Sequence, residues 1–168
     1  QLMARQGVAA DPTLIPYQII FDEWSGYFGS TSRRFTFSKE ANLEMLKRLR
    51  RAGIKCGVGT DLILHWYRYL PGAYIAELKN FVAAGWSAPE ALVAATKTNA
   101  EILDMDDRLG TLEAGKLADV LVVEGRPDEN LEDLARVEAV IRDGYVEVQG
   151  GRVVTPRHPV VVLKGAVK

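Results

Sequence analysis

With 168 residues, 48% of them hydrophobic, the chain has the material for one ordinary domain with a real core, but it falls short of a complete (β/α)8 barrel, which needs about 250 residues. A formal net charge of −1 gives no electrostatic case for nucleic acid or an anionic membrane as partner, and no apolar run approaches the roughly 20 residues of a membrane span. The single cysteine, Cys56, excludes an intrachain disulfide and fits a reducing, cytoplasmic compartment; the chain opens at Gln1, which leaves room upstream for a targeting segment.

In chain order, Gly7 stops a first helical stretch, and the short apolar run over 7–14, ended by Pro12, reads as a strand. Residues 17–37 are rich in aromatics, glycine and serine without a clean period. They read as a long strand-to-helix loop with room for a short helix, serving as a binding loop or lid, or as packed surface. A basic amphipathic helix is predicted over 38–51. Ser38 is its N-cap, Glu40 lies in the first turn, and Lys47, Arg48, Arg50 and Arg51 crowd the last, which suits the helix dipole at both ends. Ala41, Met45, Leu49 and Ala52, with Leu46 beside them, form its apolar face.

After the Ala52-Gly53 stop, the run over 54–61 (Ile54-Lys55-Cys56-Gly57-Val58-Gly59-Thr60-Asp61) reads as a buried parallel strand with a carboxylate at its carboxyl end. That end is where α/β barrels keep their chemistry. Two glycines would weaken an isolated strand, so Gly57 and Gly59 mark close approach of another backbone or of a ligand. Cys56, inside an apolar strand, is more often a small buried hydrophobe than a nucleophile. The aromatic cluster His65-Trp66-Tyr67-Arg68-Tyr69 follows. A helix is then predicted over 73–84, with Leu78, Phe81 and Val82 inward, stopped by Gly85. Ser87 to Glu90 forms a capping box, with Pro89 tolerated in the first turn, and Thr98 to Glu101 repeats the pattern, so two short helices are expected over 88–96 and 99–104. From Leu109 the period changes. Strands are predicted over 117–124, 137–142, 145–149 and 152–155, with Asp143-Gly144 as a hairpin turn and Gly150-Gly151 as the next; 159–163 is a further short apolar run.

Gly59-Thr60-Asp61, Glu77-Leu78, residues 85–92 with Ala95-Thr96, and above all the run 109–120 (Leu-Gly-Thr-Leu-Glu-Ala-Gly-Lys-Leu-Ala-Asp-Val) resemble the carboxyl-terminal part of the metal-dependent amidohydrolase superfamily, in its imidazolonepropionase-like and Xaa-Pro dipeptidase-like branch. The similarity spans most of residues 1–154, and 110–119 is its most specific piece. It implies an α/β fold in which 1–105 is the carboxyl-terminal part of a (β/α)8 TIM barrel, with 7–14 as strand seven and 54–61 as strand eight. Residues 106–168 would then supply strands of a small composite β-sandwich and the tail. The implied activity is hydrolysis of carbon-nitrogen bonds in a small amide or peptide-like substrate, with one or two divalent ions, zinc first, as cofactor.

On position alone Asp61 is more often a plain N-cap; the resemblance makes it the aspartate that binds the metal and handles the proton of the attacking water. One carboxylate touching both ion and water is able to do both jobs. His65, Arg68 and Tyr69 are candidates for the substrate mouth, Arg68 through a bidentate pair with a substrate carboxylate. The alternatives are an aromatic loop packed on the next helix and a surface ion pair. His158 reads as exposed, and Lys116 and Asp119 as structural. The family's other ligands, an HxH pair on strand one, a carboxylated lysine or glutamate on strand four and histidines on strands five and six, would all precede residue 1. Since a lone carboxylate cannot hold zinc, the chain alone is expected to be inactive and to hold no stoichiometric zinc. Completion by the amino-terminal part of the same enzyme, and an oligomeric assembly, are expected; the alternative is a non-catalytic remnant or interaction module.

Overall fold

The computed structural model describes residues 2–24, 38–62 and 68–155. Helix α1 (Leu2–Gln6) ends at Gly7, φ 64°, and the chain enters the first predicted strand. Only Ala10 of that run pairs: its N–H donates to Lys55 O and its C=O accepts Gly57 N–H, both at 2.9 Å, which sets it parallel to Cys56. The two predicted strands therefore lie side by side with their carboxyl ends together, but the pairing is one bridge long.

The short helix for which residues 17–37 left room is α2 (Ile15–Trp24), which starts two residues before that stretch. It starts there because Pro16 suits a first helical turn, and because the helix start is bound by a side chain remote in sequence, described below. Residues 25–37 lie outside the described residues.

Helix α3 (Lys39–Arg51) begins as predicted, with the Ser38 hydroxyl accepting the Ala41 N–H. Its buried face is different. Leu46 is fully buried and Leu43 and Leu49 pack beside it, while Ala41, Met45 and Ala52 are exposed. A wheel with apolar residues on two adjoining flanks is turned by whatever it packs on, here helix α4 (Gly72–Ala83). At the end of α3, Arg50 lies 4.5 Å over the Trp86 ring and pairs with Glu90 at 3.3 Å.

Helix α4 touches α2, α3, helix α5 (Ala88–Val93) and the 3-10 segment Leu131–Ala135. Ala73, Ile75, Leu78 and Phe81 are its buried apolar residues; Val82, expected inward, is exposed, and the charged Glu77 is buried instead. Ser87 and Glu90 form the predicted capping box at the start of α5. The predicted break before residue 99 is absent. A π-helical turn, Ala94–Thr98, carries α5 straight into helix α6 (Asn99–Ile102), and Thr98 has helical dihedrals and no capping bond.

A four-stranded antiparallel sheet follows in the order β1 (Val120–Val123), β2 (Val137–Arg142), β3 (Tyr145–Gln149), β4 (Arg152–Val153). Arg142 pairs with Tyr145 across Asp143 (φ 48°) and Gly144 (φ 80°). Two positive φ values in a two-residue loop match the right-handed strand twist, which is why Asp-Gly serves there. Strand β1 is shorter than the predicted 117–124, because Leu117 N–H turns to Arg108 O and Asp119 N–H to Leu117 O. The predicted run 159–163 lies outside the described residues.

Candidate functional site

The bridge between Ala10 and Cys56 brings two carboxylates together. Asp11 follows Ala10, and Asp61 ends the run that contains Cys56. Asp61 is exposed, with φ 44°, in the left-handed region that aspartate tolerates better than most residues. The Asp11 carboxylate lies against Gly59, in the space that a side chain there would fill. Partial burial raises its pKa above the ordinary 3.8, the Gly59 backbone opposes this, and the neighbouring Asp61 charge adds to the rise.

Glu77 is fully buried, yet both carboxylate oxygens are occupied: Leu14 N–H donates at 2.9 Å and Ile15 N–H at 2.8 Å. It caps the start of α2 from another helix, where amides lack intrahelical partners and the dipole favours negative charge. Burial still pushes its pKa up, against those two bonds. Half-buried Tyr74, one turn earlier, is raised by burial and by the Asp11 and Glu77 charges.

The opposite edge of the Asp61 run is held by Asn99. Its Oδ1 accepts the Val58 N–H and its Nδ2 donates to the Val58 C=O, each at 2.9 Å, so a side-chain amide stands in for a neighbouring strand. The same geometry accounts for the glycines. A Cβ at Gly57 would run into Asn99 and lie 2.9 Å from Ile102 Cδ1, and one at Gly59 would lie 3.0 Å from Asp11 Cγ. The close approach expected at both is thus made by side chains, joined at Gly57 by the Ala10 backbone, whose C=O accepts the Gly57 N–H.

Arg68 and Tyr69 sit in a short turn before α4, with the Arg68 guanidinium donating to Tyr69 Oη at 2.8 Å and stacked 4.9 Å from its ring centroid. Arg68 is exposed and Tyr69 half-buried. His65 and His158 lie outside the described residues. Cys56 is buried, its thiol pushed up to about 11 by burial, so at neutral pH it is a small apolar group. Lys116 donates to Thr111 Oγ1, and Asp119 accepts the Asp143 N–H at 2.7 Å, bracing the β2–β3 hairpin.

Asp11, Glu77 and Asn99 are residues to which sequence reasoning gave no role in the site. Asp11 showed one usable signal, a carboxylate at the end of the first strand just as Asp61 ends the second. Glu77 showed another: it falls between Tyr74 and Leu78 on the inner side of its helix, where a charge is out of place. A cavity of about 830 Å3 lies between the helices and the sheet, bounded by Tyr74, Leu78, Leu103, Leu109, Val120 and Leu134 among others; Asp11 and Asp61 do not line it. Its apolar walls suit packing rather than hydrolysis.

Residues 29–147 match the model of the Amidohydrolase family, and the chain belongs to that family. It is 34% identical over 126 residues to a 5-methylthioadenosine/S-adenosylhomocysteine deaminase of Desulforudis audaxviator (strain MP104C), covering 64% of this chain and 29% of that protein. Among solved structures it is similar to an amidohydrolase (TM-score 0.77, 30% identity, 90% of this chain and 37% of that one). It is also similar to a Xaa-Pro dipeptidase with methionine bound in the active site (TM-score 0.72, 28% identity, 89% and 36%). The chain thus shares the mixed helix-and-sheet fold of TIM-barrel-related amidohydrolases, in the branch that includes the dipeptidases, and spans about a third of these relatives' length.

The family generally uses divalent metals. Among the described residues, no group of three or more His, Cys, Asp or Glu side chains is arranged to hold one. Asp61 is an accessible oxygen donor and fits as one ligand, whereas zinc takes about four, so these residues furnish part of a site. Among the described residues no helix is long and apolar enough to cross a membrane.

Proposed function

We propose that this chain is the carboxyl-terminal part of a metal-dependent hydrolase that cleaves carbon-nitrogen bonds in a small amide or peptide-like substrate, with residues 7–14 and 54–61 as the last two barrel strands. The observation that carries this reading is the parallel bridge between Ala10 and Cys56, which leaves Asp61 exposed at a strand's carboxyl end, in a chain of this family. Asp61 would be one ligand of a divalent ion, zinc in the first instance. When bound, such an ion supplies polarisation of the scissile carbonyl and a water pKa lowered toward about 7. Asp61 takes the proton from the attacking water and hands it to the nitrogen of the leaving amine, acting first as base and then as acid. Arg68, exposed before α4, is proposed to face a substrate carboxylate, with Tyr69 and His65 beside it at the mouth. The remaining ligands come from an amino-terminal part of the enzyme, as the same or a separate polypeptide, which would also pair the open strand edges and complete the sandwich.

Asp61→Asn in the complete enzyme tests this. The swap keeps shape and removes the base, so kcat should fall by about a hundredfold or more while the melting temperature hardly moves. Near-normal turnover would return Asp61 to a structural role. Elemental analysis is the second arm: the chain alone should carry no stoichiometric zinc, and one tightly held zinc per isolated chain would refute the shared site.

A further inference from the structure

Two side chains from different elements hold the residues just before Asp61. With φ at 44°, Asp61 sits in a conformation that its neighbours must impose, so its direction depends on how Val58 and Gly59 are fixed. Asn99 holds Val58 through two 2.9 Å bonds. The Asp11 carboxylate packs against Gly59.

The absent side chain at residue 59 belongs to the same device. Unlike Gly53 or Gly85, Gly59 does not have a left-handed φ, so its backbone is open to any residue. What requires glycine is space: a Cβ would lie 3.0 Å from Asp11 Cγ and Oδ1, and closer still to Oδ2. Any larger residue would push the Asp11 carboxylate out of its seat against Gly59.

We propose that Asp11 is a positioning residue, whose carboxylate, seated in the space left by Gly59, aims Asp61 at the reacting centre. This rests on the proposed role of Asp61. Asp11 acts through the backbone, so its loss should slow the chemical step and leave substrate affinity largely intact. A displacement of about 1 Å at a reacting group is enough to cost on the order of a hundredfold.

The test is a double-mutant cycle in the complete, metal-loaded enzyme, with kcat and KM measured for Asp11→Ala, Asp11→Asn, Gly59→Ala and the Asp11→Ala/Gly59→Ala pair. Asp11→Ala should lower kcat by about tenfold or more with KM changed by less than about twofold. Asp11→Asn keeps the shape that fills the space at Gly59 and should retain at least about a third of kcat. Gly59→Ala should cost about as much as Asp11→Ala, and the pair about as much as either alone, because the truncated Asp11 makes room for the new methyl. Hydrogen exchange at the Gly59 amide gives a readout independent of turnover, and should quicken by about tenfold in Asp11→Ala. Full kcat in Asp11→Ala, or costs that add in the pair, would overturn the inference. If Asp61→Asn is inactive while Asp11→Ala is fully active, only the positioning role falls. If Asp61→Asn is fully active, the proposed function falls and the positioning role with it, even where the exchange result shows that Asp11 shields Gly59.

Discussion

The sheet over residues 120–153 and the paired strand ends at Asp11 and Asp61 are stabilised in opposite ways. In the sheet, neighbours in sequence are neighbours in space: β2, β3 and β4 follow one another through two-residue turns, and a backbone ladder carries the register. At the strand ends the backbone contributes one bridge, and the rest is done by side chains bonding main-chain groups far away in sequence, Glu77 to Leu14 and Ile15 and Asn99 to Val58. A ladder spreads its energy over many bonds, whereas a clamp concentrates it in one residue. The strand ends, where the chemistry is proposed, should therefore be the more sensitive to single substitutions.

The largest stability effect should come from Glu77→Ala, which leaves the Leu14 and Ile15 amides buried without an acceptor; at about 1 to 3 kcal/mol for each such group, denaturant unfolding of the complete protein should show a loss of about 2 to 5 kcal/mol. Asn99→Ala should cost about 1 to 3 kcal/mol in all: it orphans both polar groups of Val58, but these two bonds are only partly buried, so water recovers part of the loss. In the sheet, Gly144→Ala puts a Cβ at φ 80° and should cost about 1 kcal/mol, with no change in activity. Should Gly144→Ala prove costlier than Glu77→Ala, the contrast between ladder and clamp is wrong.

The smallest effect is a pH dependence. Burial raises the pKa of Glu77 above its ordinary 4.5, so in the window just above 4.5 the folded state binds a proton that the unfolded state has lost. That contribution to stability is complete below 4.5 and fades as pH rises through the folded-state value. Glu77→Gln, which cannot titrate, should flatten the slope of stability against pH over that window. An unchanged slope in the variant would assign the dependence to other groups.

Features fixed within a few residues were readable in the sequence. Ser38 caps α3, Ser87 and Glu90 make their box, and Asp143-Gly144 turns the hairpin, because each depends on dihedral preferences and bonds across three or four positions. The faces of the helices were not readable to the same degree. Met45 and Val82 satisfy an apolar pattern and are exposed, since α3 and α4 offer more apolar surface than their partners cover. The sequence shows only room for a short helix where α2 stands, because the start of α2 is capped from residue 77, and it suggests a helix break at residue 98 where a π-helical turn instead carries Asn99 onto Val58.

For the site, the sequence by itself determined that a carboxylate closes a glycine-bearing apolar run and that the surrounding motifs are those of an amidohydrolase. Only the tertiary structure decided that Asp11 stands beside it, that Gly59 is small to admit the Asp11 carboxylate, and that Glu77 is buried with two backbone amides to satisfy it. The reason is one of range. Propensity and capping act between residues that the chain keeps close, whereas a buried polar group takes its partner from whichever segment the fold brings within 3 Å, and that partner leaves no local mark on the sequence.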